Sequence, residues 1–160
     1  MDFPPFPGAV VEAAREAAKA HLRIAGASED GLIETLAGTA LALAERFTGT
    51  ALIARDFSET VESKGRWTAL TVAPVTAIDA GLDVVIDIDT QGLGWVRASG
   101  RATVSYSAGA AVGWSDLPPP IATGVVLLVA HLFDQRESGA APPAAVSALW
   151  RPWRRVRLAA

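Results

Sequence analysis

Leu117-Pro-Pro-Pro-Ile121-Ala-Thr-Gly-Val125-Val-Leu-Leu-Val-Ala-His131-Leu-Phe-Asp-Gln-Arg136-Glu137 is the stretch from which the rest of this sequence is read. Three consecutive prolines cannot continue a strand ladder, so whatever precedes them ends there. From Ile121 the apolar residues fall on adjacent helical stripes, Val125, Leu128 and Leu132 beside Val126, Val129 and Phe133, which predicts a helix over Ile121–Arg136. A helix apolar on so much of its circumference belongs in a core. Its apolar part is shorter than the ~20 residues that cross a bilayer, and Asp134, Arg136 and Glu137 close it, so a buried helix is expected and a membrane span is not.

Upstream of the prolines the period is two. Ile53, Phe57 and Val61 alternate with Ala54, Asp56, Ser58 and Thr60. Lys64-Gly65 reads as a turn, and Trp67, Leu70 and Val72 carry the strand signal to Pro74. Val84, Ile86 and Ile88 face one way and Asp83, Asp87 and Asp89 the other. Gly92 turns the chain into Leu93–Arg97, and Ser99-Gly100 turns it again into Ala102, Val104 and Tyr106. The short spacings predict one small antiparallel sheet, covered on one side.

Further upstream the pattern is helical again. Val10, Ala14, Ala18 and Leu22 make a stripe over Ala9–Ile24, with Gly26 as the expected stop. Ser28 is positioned to cap the next helix, where Leu32, Leu36, Ala40, Leu43 and Phe47 form the main stripe, Ile33, Ala37, Leu41 and Ala44 lie beside it, and Gly49 ends it. Beyond the core helix, Gly139–Pro143 reads as a loop and Ala144–Trp150 as a short last helix. The expected fold is α+β. Two N-terminal helices, a long C-terminal core helix and a short helix form a bundle packed with a small antiparallel β-domain, and the C-terminal tail is extended. The organisation is one domain over 1–160: helical 9–48, strand-rich 50–108, helical 118–150 and a tail 151–160.

Composition narrows the chemistry. Of 160 residues 51% are hydrophobic and 19% charged, which is enough apolar side chain for a real core. With no cysteine, disulfides, thiolate zinc sites and thiol nucleophiles are excluded. The Pro- and Phe-rich start, Met1 to Gly8, lacks the basic region of a secretory signal. A net charge of −3 removes any global electrostatic case for nucleic-acid binding, so such a case must be local. His21 and His131 stand far apart without a flanking carboxylate motif and read as structural. Asp83, Asp87 and Asp89 share one strand face at about 6–7 Å per two residues. Nothing converges on them from elsewhere in the sequence, so a solvated face is expected over a metal or acid–base site. An enzyme using Asp87 or Asp89 is the weaker alternative. Gly92-Leu-Gly94 lacks the third glycine and the strand-to-helix context of a dinucleotide loop and is read as a turn. No catalytic, cofactor-binding or metal-binding residue is therefore assigned, and no cofactor is expected.

The tail is different. Trp150, Arg151, Trp153, Arg154, Arg155, Arg157 and Leu158 interleave cations with large apolar groups in an otherwise acidic chain. Arg and Trp are the residue types enriched at interface hot spots, so a partner-docking arm is expected here. Arg–aromatic interleaving also suits a nucleic-acid contact, and a solvated terminus is the plain alternative.

Several of these segments, in this order and spacing, resemble the head–tail connector (adaptor) family of long-tailed phages and gene transfer agents. They are Val104-Ser-Tyr106-Ser-Ala-Gly109, then Leu117-Pro118, then the helix closing on Arg136-Glu137. Pro143-x-x-Val146-x-x-Leu149 with the Arg-rich tail is similar to the family's ending, Glu29-Asp30-x-Leu32-Ile33-Glu34 through Glu45-Arg46-Phe47-Thr-Gly49 to its second helix, and Val72-Ala-Pro74-Val75 to the point where its sheet continues. The likeness runs from about Val10 to Leu158; the Pro/Phe-rich start and the Ala-rich helices depart from it. The resemblance implies a non-enzymatic virion protein made in the bacterial cytoplasm and placed at the head–tail junction. It implies a homo-oligomeric ring, typically of twelve copies, beneath the portal protein. The ring would continue a channel through which DNA passes without sequence-specific binding and would meet a stopper or tail-completion protein on its far side. The segment from Trp150 to Leu158 would reach the portal. The alternative within the same particle is a stopper or tail-terminator protein, and no membrane partner is implied.

Overall fold

A computed structural model describes residues 3–135 and 138–155. The fold is α+β, with four α-helices and two three-stranded antiparallel sheets among the described residues. By their internal contacts these residues fall into two compact units, one built from Thr50–Val112 with the first few residues of the chain, the other from Phe6–Gly49 and the chain from Gly113 onward.

The helical unit contains α1 (Gly8–Leu22), α2 (Asp30–Thr48), α3 (Pro119–Asp134) and α4 (Ala144–Trp150). Helix α1 buries Val10, Ala14 and Ala18, the expected stripe. It stops earlier than Gly26, because Arg23 takes a left-handed conformation (φ 59°) and its N–H bonds back to Ala20 and Lys19 carbonyls. Ser28 does not cap α2. The N-cap is Glu29, with no side-chain cap, and Asp30 in the first turn instead pairs with Lys19 at 2.5 Å. Lys19 is buried, so this ion pair holds its charge within the α1–α2 contact. Arg15 and Glu34 bridge the same two helices at 2.7 Å.

The second stripe of α2, Ile33, Ala37, Leu41 and Ala44, is buried, whereas on the main stripe Ala40 is buried, Leu36 and Phe47 are half-buried, and Leu32 and Leu43 are exposed. Small residues decide this: alanine at 37, 40 and 44 lets neighbouring helices approach closely, and the larger leucines on the flank are left outside. Gly49 ends α2 with φ 66°, as expected. In α3, Pro118 is the N-cap and Pro119 and Pro120 occupy the first turn, where a missing N–H costs nothing. Ile121, Val125, Leu128 and Val129 are then buried against α1, α2 and α4. The helix described ends at Asp134, and the Arg136-Glu137 closure lies outside the described residues. No helix among the described residues is long and apolar enough to cross a membrane.

The strand unit corrects the expectation of one sheet. β1 (Arg55–Glu62), β6 (Arg101–Ala108) and β3 (Val75–Asp79) form one sheet in the order β1-β6-β3; β2 (Thr68–Ala69), β5 (Gly94–Arg97) and β4 (Val85–Ile88) form a second in the order β2-β5-β4. The longest ladder joins strands far apart in sequence, Phe57 opposite Tyr106 and Val61 opposite Ala102. Hairpin spacing could not show this pairing. Phe57, Val61, Val104, Tyr106 and Val75 of the first sheet share one hydrophobic cluster with Val96 of the second and the flanking Leu70 and Val72. Each sheet is thus covered on its inner side only, with Phe57 stacked on Tyr106 at 5.7 Å between ring centroids. Residues near the start of the chain join this unit: Phe3 meets Phe57 edge-on at 5.9 Å, and Arg55 donates to the Pro4 carbonyl at 3.1 Å.

Ser63 ties β1 to the end of β5 from a buried position. Its hydroxyl donates to the Ala98 carbonyl and accepts from the Ala98 N–H, both at 2.6 Å. Ser63→Ala removes the hydroxyl that the Ala98 N–H donates to, while the Ala98 carbonyl keeps the Gly65 N–H at 2.7 Å, and the expected loss is about 1–3 kcal/mol. Chemical denaturation followed by tryptophan fluorescence checks it; an unchanged midpoint would show that water replaces the hydroxyl.

Candidate partner-docking site

The tail begins on a rigid seat. Helix α4 follows Pro143, whose fixed φ suits a helix start, and ends at Trp150; a single 3-10 turn, Arg151–Trp153, follows. Trp150 is only 3% exposed. Its indole N–H donates to the Ile121 carbonyl at 3.2 Å, its ring lies 5.8 Å from that of Phe47, and it occupies the space over Gly124. A Cβ at position 124 would come 2.1 Å from the indole nitrogen, so glycine in the middle of α3 is what admits the ring. The expectation that Trp150 is part of an exposed arm is thereby corrected: it is the anchor of that arm, packed inside the helical unit.

The next residues turn outward. Trp153 is 43% exposed, and Arg151, Arg154 and Arg155 lie on the surface. The Arg154 guanidinium sits 6.0 Å from the Phe47 ring centroid, within cation–π range. The Arg155 N–H donates to the Thr48 carbonyl at 2.7 Å, at the C-terminal end of α2, where helix carbonyls lack internal partners and favour cations. Gly49 belongs to the same seat, since its position lies 3.1 Å, measured from where a Cβ would stand, from the Arg155 carbonyl. The backbone is therefore tied down as far as Arg155, and a cationic and aromatic surface is presented from a fixed base. Arg157 and Leu158, assigned to the same arm, lie outside the described residues. Chemically the surface can stack, donate bidentate hydrogen bonds and neutralise an anionic partner; it holds no nucleophile or base.

The other polar candidates resolve into structure. Asp89 accepts from the N–H groups of Gln91 and Leu93, at 2.8 and 3.0 Å, and from the indole of Trp95 at 3.0 Å, so it shapes the β4–β5 turn. Gly92 takes φ 76° there, and a Cβ would meet Pro74 at 2.8 Å, which is why this turn needs glycine. Asp83 and Asp87 are exposed. His131 bonds the Ala140 carbonyl at 3.0 Å and braces the loop before α4, while His21 is exposed in the last turn of α1. Among the described residues no group of three metal-ligating side chains forms.

Sequence reasoning missed a second surface. Val84, Ile86 and Ile88 were expected to face a core; Val84, just before β4, does pack against the hydrophobic cluster, but every residue of β4 is exposed, with Val85 at 48%, Ile86 at 45% and Ile88 at 38%, and Leu82 is fully exposed. The alternation was legible; that β4 is an outer strand of a small sheet was not.

No family model matches the chain, and no curated protein matches it. Chains of solved structures share its fold over nearly the whole length, among them the following three. A chain from the neck of an empty GTA particle computed with C6 symmetry is 28% identical, with a TM-score of 0.74, covering 99% of this chain and 98% of that one. A chain from the virion of a native gene transfer agent (GTA) particle is 25% identical with a TM-score of 0.74, covering 99% and 96%. A chain from the neck of a native GTA particle computed with C12 symmetry is 25% identical with a TM-score of 0.71, covering 99% and 98%.

Proposed function

We propose that this chain is a structural component of the neck of a tailed, gene-transfer-agent-like particle, and within it the head–tail adaptor. Likeness along the whole chain to chains of GTA necks carries the reading, because both units and the order of their elements are matched together. In this role copies of the chain form a ring, of twelve subunits on the adaptor reading, at the head–tail junction of the virion. The ring lies under the portal protein, continues the DNA channel without reading sequence, and offers its other side to a stopper or tail-completion protein. Closed rings of identical subunits multiply modest contacts into firm attachment, which suits a surface of a few arginines and one tryptophan better than a deep pocket would. Its chemistry is that of binding and not of catalysis.

On this reading the arm from Arg151 onward docks on the portal. Trp153 and Arg154 supply the exposed aromatic and cationic contacts, Arg155 fixes the direction of the chain, and Arg157 and Leu158 extend it. Two outcomes are expected in cells that produce the particle. Without this chain, DNA-filled heads and free tails accumulate separately in electron micrographs; normally tailed particles would contradict the adaptor role. With the triple variant Arg151→Ala, Trp153→Ala and Arg154→Ala, the protein folds, because these side chains are exposed, but attached tails fall by about tenfold or more, since hot-spot truncations cost about 2 kcal/mol or more each. Normal attachment in that variant would remove the arm from the account and leave the adaptor role standing.

A further inference from the structure

Four of the five Lys and Arg residues between positions 50 and 112 meet at one corner of the strand unit. The β1–β2 and β5–β6 connections both cross from one sheet to the other, and they cross side by side, because β1 pairs with β6 and β2 with β5. The Ala98 carbonyl ties them together, accepting from the Ser63 hydroxyl at 2.6 Å and from the Gly65 N–H at 2.7 Å. Lys64, Arg66, Arg97 and Arg101 are all exposed there. Glu62 is the one acid within 62–68 and 97–101; it lies 3.5 Å from Lys64 and opposite Arg101. Arg66, Arg97 and Arg101 form no ion pair among the described residues, neither with Glu62 nor with Asp83 and Asp87 on the neighbouring segment. Arg97 instead lies over the Trp67 ring, 5.1 Å from its centroid, and Trp67 is itself exposed. Lys64 and Gly65 take φ 48° and 77°, the two left-handed residues of a tight turn that the Arg66 N–H closes on the Ser63 carbonyl at 2.8 Å. Gly, Asn and Asp fit the first of these positions more easily, so lysine places a cation at the apex against the local backbone preference.

We infer that this corner takes the phosphate backbone of a DNA duplex, without reading its sequence. Lys64 to Trp67 are exposed in an unbroken run, which does not enclose a small anion. The cations are long, and three of them have no carboxylate to fix them, so they adapt to repeating charges more readily than to one set pattern. An acidic protein surface would need apolar area to bury; here that is Trp67, and Arg97 already lies over its ring. Turns, with no helix or strand to enter a groove, reach phosphates and not base edges, and phosphate contacts position a duplex without specifying sequence. The whole chain carries −3, so its remainder is more acidic still and steers a polyanion away from the other surfaces and toward its cationic ones. The charge of these turns carries the assignment independently of the adaptor role, and measurements on the isolated protein let either fail without the other.

The test titrates the full chain into a fluorescently labelled DNA duplex of arbitrary sequence and follows anisotropy over a range of salt concentrations. The parent is expected to bind at low salt, with the logarithm of its affinity falling as the logarithm of salt concentration rises. Lys64→Gln, Arg66→Gln, Arg97→Gln and Arg101→Gln together are expected to make that slope shallower by about 3–4, at about 0.9 for each phosphate contact, and to weaken binding by about tenfold or more at low salt. Arg66→Lys with Arg97→Lys and Arg101→Lys keeps the charge and is expected to bind within about threefold of the parent, since lysine serves a phosphate as a point charge. That rescue separates lost charge from a lost fold. The arm variant Arg151→Ala, Trp153→Ala and Arg154→Ala is expected to keep the share of the slope that the corner supplies. No binding by the parent, parent-like binding by the glutamine variant, or equal loss in the lysine variant would each overturn the inference. Tighter binding of polyglutamate than of duplex would make the partner an acidic protein and overturn the assignment to DNA.

Discussion

Trp150→Ala lowers the stability of the helical unit by about 3–5 kcal/mol, the range for removing a buried aromatic side chain. Three losses act together. The ring leaves a cavity between Phe47 and Gly124, the Ile121 carbonyl loses its indole donor, and α4 loses its only large buried aromatic side chain. Glycine at 124 makes the site hard to refill, because that glycine is present to accommodate the ring. For a chain of this length the thermal midpoint is expected to fall by roughly 10 °C, at about 2–4 °C for each kcal/mol. Trp153→Ala is the matched control. Its ring is half exposed, so stability should move by no more than about 0.5 kcal/mol. Calorimetry on the two variants decides between an anchor at 150 and an arm that starts there; equal midpoints would mean that Trp150 contributes no more than its exposed neighbour. The pair also separates docking from folding: loss of docking in Trp153→Ala with the midpoint intact is a contact effect, whereas loss in Trp150→Ala follows from losing the seat.

Gly109→Ala is expected to be comparably severe in the strand unit. The residue sits at φ +151°, and a Cβ would stand 2.3 Å from both the Cα and the nitrogen of Ala54. Those are backbone atoms of the segment leading into β1, so no rotamer change relieves the overlap. The same glycine donates its N–H to the Pro74 carbonyl at 2.8 Å, and its neighbours Ala110 and Ala111 donate to Ala51 and Leu52, so three chain segments meet there. Strained backbone costs about 1–3 kcal/mol and overpacking a similar amount, so a loss of about 3 kcal/mol or more is expected. Gly100→Ala is the control, since nothing lies within 4 Å of its Cβ position. A Gly109→Ala protein as stable as the parent would mean that the close approach at Ala54 opens without cost.

These two positions show what was legible in the sequence. Tyr106-Ser-Ala-Gly109 marked the end of the strand region, and each of its parts now has a reason: Tyr106 stacks on Phe57, Ala108 is buried, and Gly109 admits the backbone of Ala54. The helices were legible because periodic apolar residues and punctuating prolines act locally, and the α+β class followed. Where packing between elements decides, local pattern failed. It did not say which stripe of α2 goes inside, that β1 pairs with β6, or that β4 stays open at the rim. Arg23 ended α1 three residues before Gly26, since a left-handed residue other than glycine leaves no mark in the sequence. At the tail Trp150 was grouped with its exposed neighbours because spacing alone could not reveal the gap over Gly124.

The most direct test of the adaptor reading is to mix the purified full-length protein with the portal ring of the same particle and to image the product by electron microscopy. The account predicts an additional ring of density beneath the portal, absent when residues 151–160 are deleted. A portal that stays bare at high protein excess would contradict it and move the chain to another position in the neck.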